Sequence, residues 1–408
     1  MEEVKYWLWL TMVFGAGNIR LWEALEHFET PQEAYEKLSA DDDSVRLKDT
    51  EKRSAKSIDM PYVMNYMRIC AEKGVNIIGY SSENYPPQLR HIQNPPAVIY
   101  YKGNINCLFA AKTVTAVGTR KATGYALYAA EKICGELAQK NYVIVSGFAT
   151  GIDITASLSA VSAHRPTACV LGCGADVDYP KENIKFRDII VRNGGVLLTE
   201  YPLGTPPYGN NFPKRNRILS ALGRVTIVFQ AGEKSGSLIT ANLAAEQGRD
   251  VFCLPPPDIF ANNFSGNIML LKDGAYALYD TEDIESLFED GSALDEEIHE
   301  TDFSRTNSFR TESTENIPET VPVSEYLKVK NSSDENIISD DEKFSEELNE
   351  LTQLQKNIVE IIRKGSVHAD VLAQELSVDA QELLVELTEL EIQGIVKSLP
   401  GKMFEMIK

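Results

Sequence analysis

Four short segments combine glycines, hydroxyls and cations in the order that anion recognition needs. Val117-Gly118-Thr119-Arg120, with Lys121 next, lets an anion reach the backbone at Gly118 and offers the Arg120 guanidinium as a two-pronged clamp. Val145-Ser146-Gly147-Phe148-Ala149-Thr150-Gly151-Ile152-Asp153 has the layout of a phosphate cradle between a strand and a helix, with Phe148 as a ring on which a base could stack. Asn211-Phe212-Pro213-Lys214-Arg215-Asn216-Arg217 packs three cations and an amide into four residues. Cations at a helix start oppose the helix dipole, a cost that an anionic partner explains; the alternative is a solvated basic face. In Lys234-Ser235-Gly236-Ser237-Leu238-Ile239-Thr240 the serines can cap the next helix, alone or together with an anion contact. Near the start, Gly15-Ala16-Gly17-Asn18 either presents N–H groups to a phosphate or is a plain turn between packed helices.

Catalytic chemistry is thinly represented. No GxSxG, HExxH or Walker A motif occurs. Gly172-Cys173-Gly174 lacks the third glycine of a dinucleotide fingerprint. The histidines (His27, His91, His164, His299, His368) fall in no nucleophile or metal arrangement, and the six cysteines form no CxxC pair, which suits reduced, buried thiols. Asp153 and Glu200 are the carboxylates inside the loop motifs; they could do acid–base work, or orient arginines and cap a helix. The expectation is no catalytic residue, no metal and no cofactor.

The elements that must position these loops alternate in type. Thr113–Gly118, Tyr142–Ser146, Thr167–Gly172, Gly195–Thr199, Val225–Phe229 and Val251–Leu254 read as short strands. Tyr125–Gln139, Ile184–Arg192 and Leu238–Gln247 read as helices between them. That alternation predicts an α/β fold, a doubly wound and mostly parallel sheet, with ligands at the carboxyl ends of the strands. Residues 1–80 read as a helical domain, 81–285 as the sheet domain, 286–346 as an acidic disordered linker, and 347–408 as three helices and a hairpin, a winged-helix layout.

The net charge of -20 argues against a nucleic-acid binder until its location is considered. Thr281 to Glu350 holds 22 acids and 5 bases, a net of -17, so the remainder carries only -3. A nearly neutral body can still hold a basic groove, because phosphate responds to the local field. Glu2 and Glu3 after Met1 do not suit a signal peptide, and the apolar run Trp7–Phe14 is too short for a bilayer, so a cytoplasmic protein without membrane insertion is expected.

In this order the segments resemble the DprA/Smf family. The approach Tyr85-Pro86-Pro87-Gln88-Leu89, Pro95-Pro96 and Tyr101-Lys102-Gly103 matches. So do the loops above, with Tyr179-Pro180-Lys181-Glu182-Asn183, Thr199-Glu200-Tyr201-Pro202 and Gln247-Gly248-Arg249-Asp250-Val251-Phe252. The resemblance implies an extended Rossmann-like domain that holds single-stranded DNA, a homodimer, and delivery of incoming strands to the RecA recombinase past single-strand-binding protein during natural transformation. It also implies a sterile-alpha-motif-like (SAM-like) helical domain at the start. It places phosphate contacts on Arg120, Lys181, Lys214, Arg215 and Arg217, with the turn at Ser146 and Gly147 completing the site. Together with the loop readings, the expected DNA-binding residues are Gly118, Thr119, Arg120, Ser146, Gly147, Phe148, Lys181, Asn183, Lys214, Arg215, Asn216, Arg217, Ser235 and Gly236. Ser157 stands where the family usually has His, Gln230 where it has Glu, and Leu254-Pro255-Pro256-Pro257 where it has Pro-Gly.

Five cations, Arg120, Lys181, Lys214, Arg215 and Arg217, are thus expected in one trough, with the Gly118 and Gly147 N–H groups as neutral donors. Two other readings compete. A nucleotide-processing hydrolase would need a Gly-Gly-Gly run and a Pro-Gly-Gly-x-x-Thr-x-x-Glu motif, which the chain lacks. A winged-helix transcription regulator would need a recognition helix that meets duplex phosphates, whereas Asp379–Gln393 carries Asp379, Glu382, Glu386, Glu389 and Glu391 and no Lys or Arg.

Overall fold

The structure, a computed structural model, describes residues 3–40, 44–289, 352–362, 367–376, 396–399, 403–406 and the single positions 378, 383, 386, 387 and 390. Two compact units divide the chain, at 1–323 and 324–408.

The first unit begins with helices α1 (Val4–Phe14), α2 (Arg20–Leu25), α3 (Pro31–Ser39), α4 (Asp49–Ser57) and α5 (Met60–Glu72). Their starts follow local chemistry. Thr30 accepts from the Glu33 N–H ahead of Pro31, and Asp59 accepts from the Tyr62 N–H ahead of Pro61. Helix α1 is apolar nearly all round, so it is enclosed: Leu8, Trp9 and Leu10 are fully buried. Each such leucine contributes about 1.5–3 kcal/mol by leaving water. The Trp9 indole N–H donates to Ile58 O at 2.7 Å, satisfying the donor that burial would otherwise strand.

A nine-stranded sheet follows, its strands β1 (Asn76–Gly79), β2 (Val98–Gly103), β3 (Thr113–Val117), β4 (Val143–Ser146), β5 (Thr167–Val170), β6 (Val196–Thr199), β7 (Val225–Val228), β8 (Asp250–Cys253) and β9 (Tyr276–Ala277). Their order is β1-β2-β6-β5-β4-β3-β7-β8-β9. β1 and β2 pair antiparallel, as do β2 and β6; the others are parallel. Every residue of β3 to β7 is buried, as expected of strands covered on both faces. Packing of Val98 and Tyr100 with Trp7, Trp9 and Phe14 joins β2 to the helical layer.

The covering helices are α6 (Gly124–Gln139), α7 (Ile152–Ser162), α8 (Arg187–Arg192), α9 (Asn211–Leu222), α10 (Gly236–Glu246), α11 (Ser265–Lys272) and α12 (Glu282–Glu289). From β3 the chain winds through β4, β5 and β6 to one side, then crosses back to β7 on the other. That reversal of direction between β3 and β7 is a topological switch point, where such sheets open a crevice at the carboxyl edge.

The structure departs from the sequence reading at several boundaries, among them residues 76–79, read as part of the helical domain, which form β1 of the sheet. Asn211–Arg217, read as a loop, is the first two turns of α9. Residues 286–289, assigned to the linker, complete α12, which Phe288 anchors against Tyr142 with ring centroids 5.1 Å apart. The rest of the expected linker lies outside the described residues.

The second unit contains α13 (Gln353–Ile362), α14 (Ala369–Leu376) and the strands β10 (Val367–His368), β11 (Val396–Leu399) and β12 (Met403–Met406), in sheet order β10-β12-β11. Ile358, Ile362, Leu372, Leu387, Val396 and Phe404 share its core. Of the expected third helix, 380–393, only positions 383, 386, 387 and 390 fall within the described residues.

Candidate functional site

The loops after β3, β4 and β5 and the first turn of α9 line a small, open cleft at the carboxyl edge. Arg120, Gly147, Thr150, Gly172, Tyr179 and Phe212 are among its walls. Small residues make it possible. A Cβ on Gly118 would meet Ile152 at 2.5 Å, and one on Gly172 would meet the Phe212 ring at 2.7 Å. The Tyr179 and Phe212 rings lie side by side, centroids 5.6 Å apart and planes tilted by 49°. The Arg120 guanidinium lies over Phe212 at 5.6 Å, with its Nη1 3.4 Å from the Tyr179 hydroxyl. Arg120, Lys121, Lys181 and Lys214 are exposed. Lys181 follows the cleft residue Pro180, and Lys214 stands two residues after Phe212 on the turn that Arg120 overlies. A cationic rim with aromatic walls suits a phosphorylated ligand that carries flat rings.

The floor departs from expectation. Arg215 is 5% exposed and points inward, donating to Gly147 O at 3.1 Å and to Val170 O. It clamps two strand ends instead of facing solvent. Arg217 is bound by both oxygens of Glu200, at 2.7 and 2.6 Å, and by Asn94 O at 3.0 Å. Glu200 is 2% exposed, so this is a buried pair. Of the five cations expected in one trough, the structure leaves Arg120, Lys181 and Lys214 at the surface. The other two are internal because α9 turns its Arg215, Ile218, Leu219 and Leu222 face into the protein.

The glycine-rich loop after β4 also proves to be filled from within. The Ala149 N–H points to Asp153 Oδ2 at 3.4 Å, and the Gly147 N–H also serves this carboxylate. A Cβ on Gly147 would meet Asp153 Oδ2 at 2.5 Å and Arg215 Nη2 at 2.9 Å. Burial pushes the Asp153 carboxyl up to about 6, and the Arg215 charge opposes that rise. The cradle's anion is therefore the protein's own, and Gly147 does not give the neutral donor expected of it. Phe148 is 1% exposed at φ 60, so its ring is core and not a stacking platform; Tyr179 and Phe212 present aromatic walls instead.

Several other expected contacts are scaffold. The Ser146 hydroxyl donates to Ala116 O at 2.9 Å, and the Asn183 amide donates to Phe148 O at 2.9 Å. Thr119 N–H donates to Gln230 O at 2.8 Å. The Ser235 hydroxyl caps α10, and Asn216 Nδ2 reaches Gly236 O at 3.4 Å. Ser235, Gly236 and Asn216 lie outside the walls of this cleft. Gln230 accepts from the Thr123 N–H at 2.8 Å and donates to Asn263 O at 3.4 Å, the second of which a carboxylate could not do. Ser157 is buried, its Oγ 3.4 Å from Cys169 Sγ. Gly17, far from receiving a phosphate, faces Glu200, whose oxygens lie 3.0 and 3.2 Å from its Cβ position. The roles of Tyr179 and Phe212 went unread in the sequence; the available signal was an aromatic two residues before each of Lys181 and Lys214.

Fold and cleft define a class: a Rossmann-like α/β protein with a basic, ring-walled cleft at the carboxyl edge of its sheet. Residues 76–289 match the family model described as DNA recombination-mediator protein A, and residues 342–402 match the DprA winged helix domain. The chain is 41% identical over 213 residues to the DNA processing protein DprA of Bacillus subtilis (strain 168), covering 52% of this chain and 71% of that one. It is 30% identical over 326 residues to Protein Smf of Escherichia coli (strain K12), covering 80% and 76% respectively. The X-ray structure of DNA processing protein A from Streptococcus pneumoniae superposes with a TM-score of 0.60 at 30% identity, covering 68% of this chain and 95% of that chain. The chain belongs to the DprA/Smf family, and its second unit is a winged-helix module.

Proposed function

We propose that this protein binds single-stranded DNA, with phosphates on the Arg120, Lys181 and Lys214 rim and a base against the Tyr179 and Phe212 walls. The observation that carries the reading is Arg120 over Phe212 beside Tyr179, a cation and two rings on one cleft. Duplex DNA hides its base faces, whereas a single strand can offer both phosphates and rings. The acid-free run from Tyr201 to Gly232, in a chain with 60 acidic residues, supports the same ligand.

The protein acts by holding the strand, not by cutting it. The two carboxylates that could have formed an acid–base pair are committed elsewhere, Glu200 to Arg217 and Asp153 to the loop beneath the cleft. Family membership supports a further role: shielding incoming strands and loading a RecA recombinase past single-strand-binding protein during natural transformation. RecA filament growth on coated strands, with and without this protein, tests that role. A homodimer fits the exposed apolar side chains Phe260 (82%), Ile259 (68%) and Tyr276 (52%) beyond β8. Phe260→Asp should then yield monomers on sedimentation. The winged module contacts a protein, or nothing, rather than duplex DNA; a clear loss of duplex affinity on removing residues 347–408 would refute this.

A salt titration of oligo-dT binding tests the main reading. Three rim cations give a slope of log K against log salt near about -2, at roughly -0.7 per phosphate, against about -3.5 for five. Arg120→Ala and Lys214→Ala should each weaken binding and flatten the slope. Unchanged capture by the double variant would sink the assignment.

A further inference from the structure

We propose that Tyr208 is an additional stacking platform, taking the base next to the one held in the cleft. This rests on the single-strand reading of the cleft and extends it past the start of α9. Tyr208 is 62% exposed, and among the described residues no side-chain hydrogen bond or ring contact engages it. It stands one turn ahead of α9, its carbonyl accepting from the Asn211 N–H at 2.9 Å, and four residues before the cleft wall Phe212.

The loop that carries it is pinned at the base and open at the tip. Leu203 N–H donates to the Tyr66 hydroxyl at 2.8 Å, Gly204 N–H to Asp176 Oδ1 at 2.7 Å, and Gly174 N–H to Thr205 O at 2.9 Å. Pro206 and Pro207 restrict the backbone next to Tyr208, whose own N–H reaches Pro206 O at 2.8 Å. Beyond it, a Cβ on Gly209 would meet nothing within 4 Å, so the chain next to the ring is uncrowded. An exposed ring on a restrained backbone loses little freedom on binding, since only two side-chain torsions need settle.

The electrostatics agree. No Asp or Glu occurs from Tyr201 to Gly232, while Lys214 is exposed on the adjoining turn. Asp176, which holds the loop's base, is paired with Lys73 at 2.6 Å. A polyanion leaving the cleft past the start of α9 therefore meets a ring on an acid-free stretch of chain. Other exposed rings, such as Tyr62 and Tyr128, lie on α5 and α6 and lack this continuity with the cleft.

Fluorescence anisotropy of the full chain with oligo-dT, and with an abasic strand of equal length, provides the test. Tyr208→Ala should weaken oligo-dT binding roughly tenfold, within the range for losing one stacked base. Tyr208→Phe should bind like the wild type, and the abasic strand should bind wild type and Tyr208→Ala equally. Wild-type oligo-dT affinity in Tyr208→Ala, while Arg120→Ala has lost binding, would overturn the platform and leave the cleft reading standing. An equal loss on the abasic strand would also overturn it, because the ring would then act on something other than a base. If Arg120→Ala and Tyr208→Ala both bind normally, the cleft reading itself has failed.

Discussion

The rim and the floor of the cleft carry the same kinds of charged residue and treat them in opposite ways. Lys214 and Arg215 are sequence neighbours, yet Lys214 is exposed while Arg215 is enclosed among carbonyls. Arg120 lies open over a ring, whereas Arg217 is locked onto Glu200. A cation at the rim is available to a ligand and contributes little to folding, as exposed charges generally do. A cation in the floor is part of the architecture. Clusters of positive charge in a sequence therefore overstate the surface that can meet DNA.

The largest effects should come from the floor. Arg215→Ala strands Gly147 O, Val170 O and the Asp153 carboxylate, and Glu200→Ala strands the Arg217 charge. Each should cost about 3–5 kcal/mol of stability, the scale for breaking a buried ionic arrangement from one side. Denaturant unfolding reads this directly. If Arg215→Ala unfolds like the wild type but loses DNA, the division between rim and floor is broken.

Next in size is a pH effect from the same floor. Burial holds the Asp153 carboxyl at about 6 in the folded protein, against the 3.8 usual for an exposed aspartate. Its contribution to stability is thus full below about 3.8 and is lost as pH rises through about 6, at most about 3 kcal/mol in all. Asp153→Asn should remove that fall, so variant and wild type should diverge between pH 4 and about 7 in unfolding free energy. Parallel pH curves for the two proteins would show that Asp153 is not the enclosed anion of the cradle.

The rim should give the smallest effect on stability and a clear one on binding. Arg120→Ala, Lys181→Ala and Lys214→Ala should leave unfolding within about 0.5 kcal/mol of wild type. Each should flatten the salt slope for oligo-dT by about 0.7. A cation whose removal leaves the slope unaltered contacts no phosphate and drops out of the rim.

Much of the framework was legible because its signals are local. Strands such as Val143–Ser146 and Val225–Val228 are short, mostly β-branched and buried throughout, and each ends at the segment that borders or braces the cleft. Helix α9 was partly hidden, since Pro213 and the polar Asn210 and Asn211 read as loop. Read as a helix, its spacing of Arg215, Ile218, Leu219 and Leu222 would already have marked Arg215 as inward-facing. The antiparallel β1 and β2 were missed because their hydrophobic runs do not sit between helices, so the alternating pattern gave no cue.

By itself, then, the sequence determined the alternating α/β order, the loops at the strand ends and the membership those motifs display. Tertiary structure alone decided which charges are free. Side-chain burial depends on what packs from elsewhere in the chain: Asn94 on Arg217, Val170 on Arg215, Asp153 beneath Gly147. Only when those distant segments meet does a cation become either a clamp within the fold or a contact for a passing phosphate.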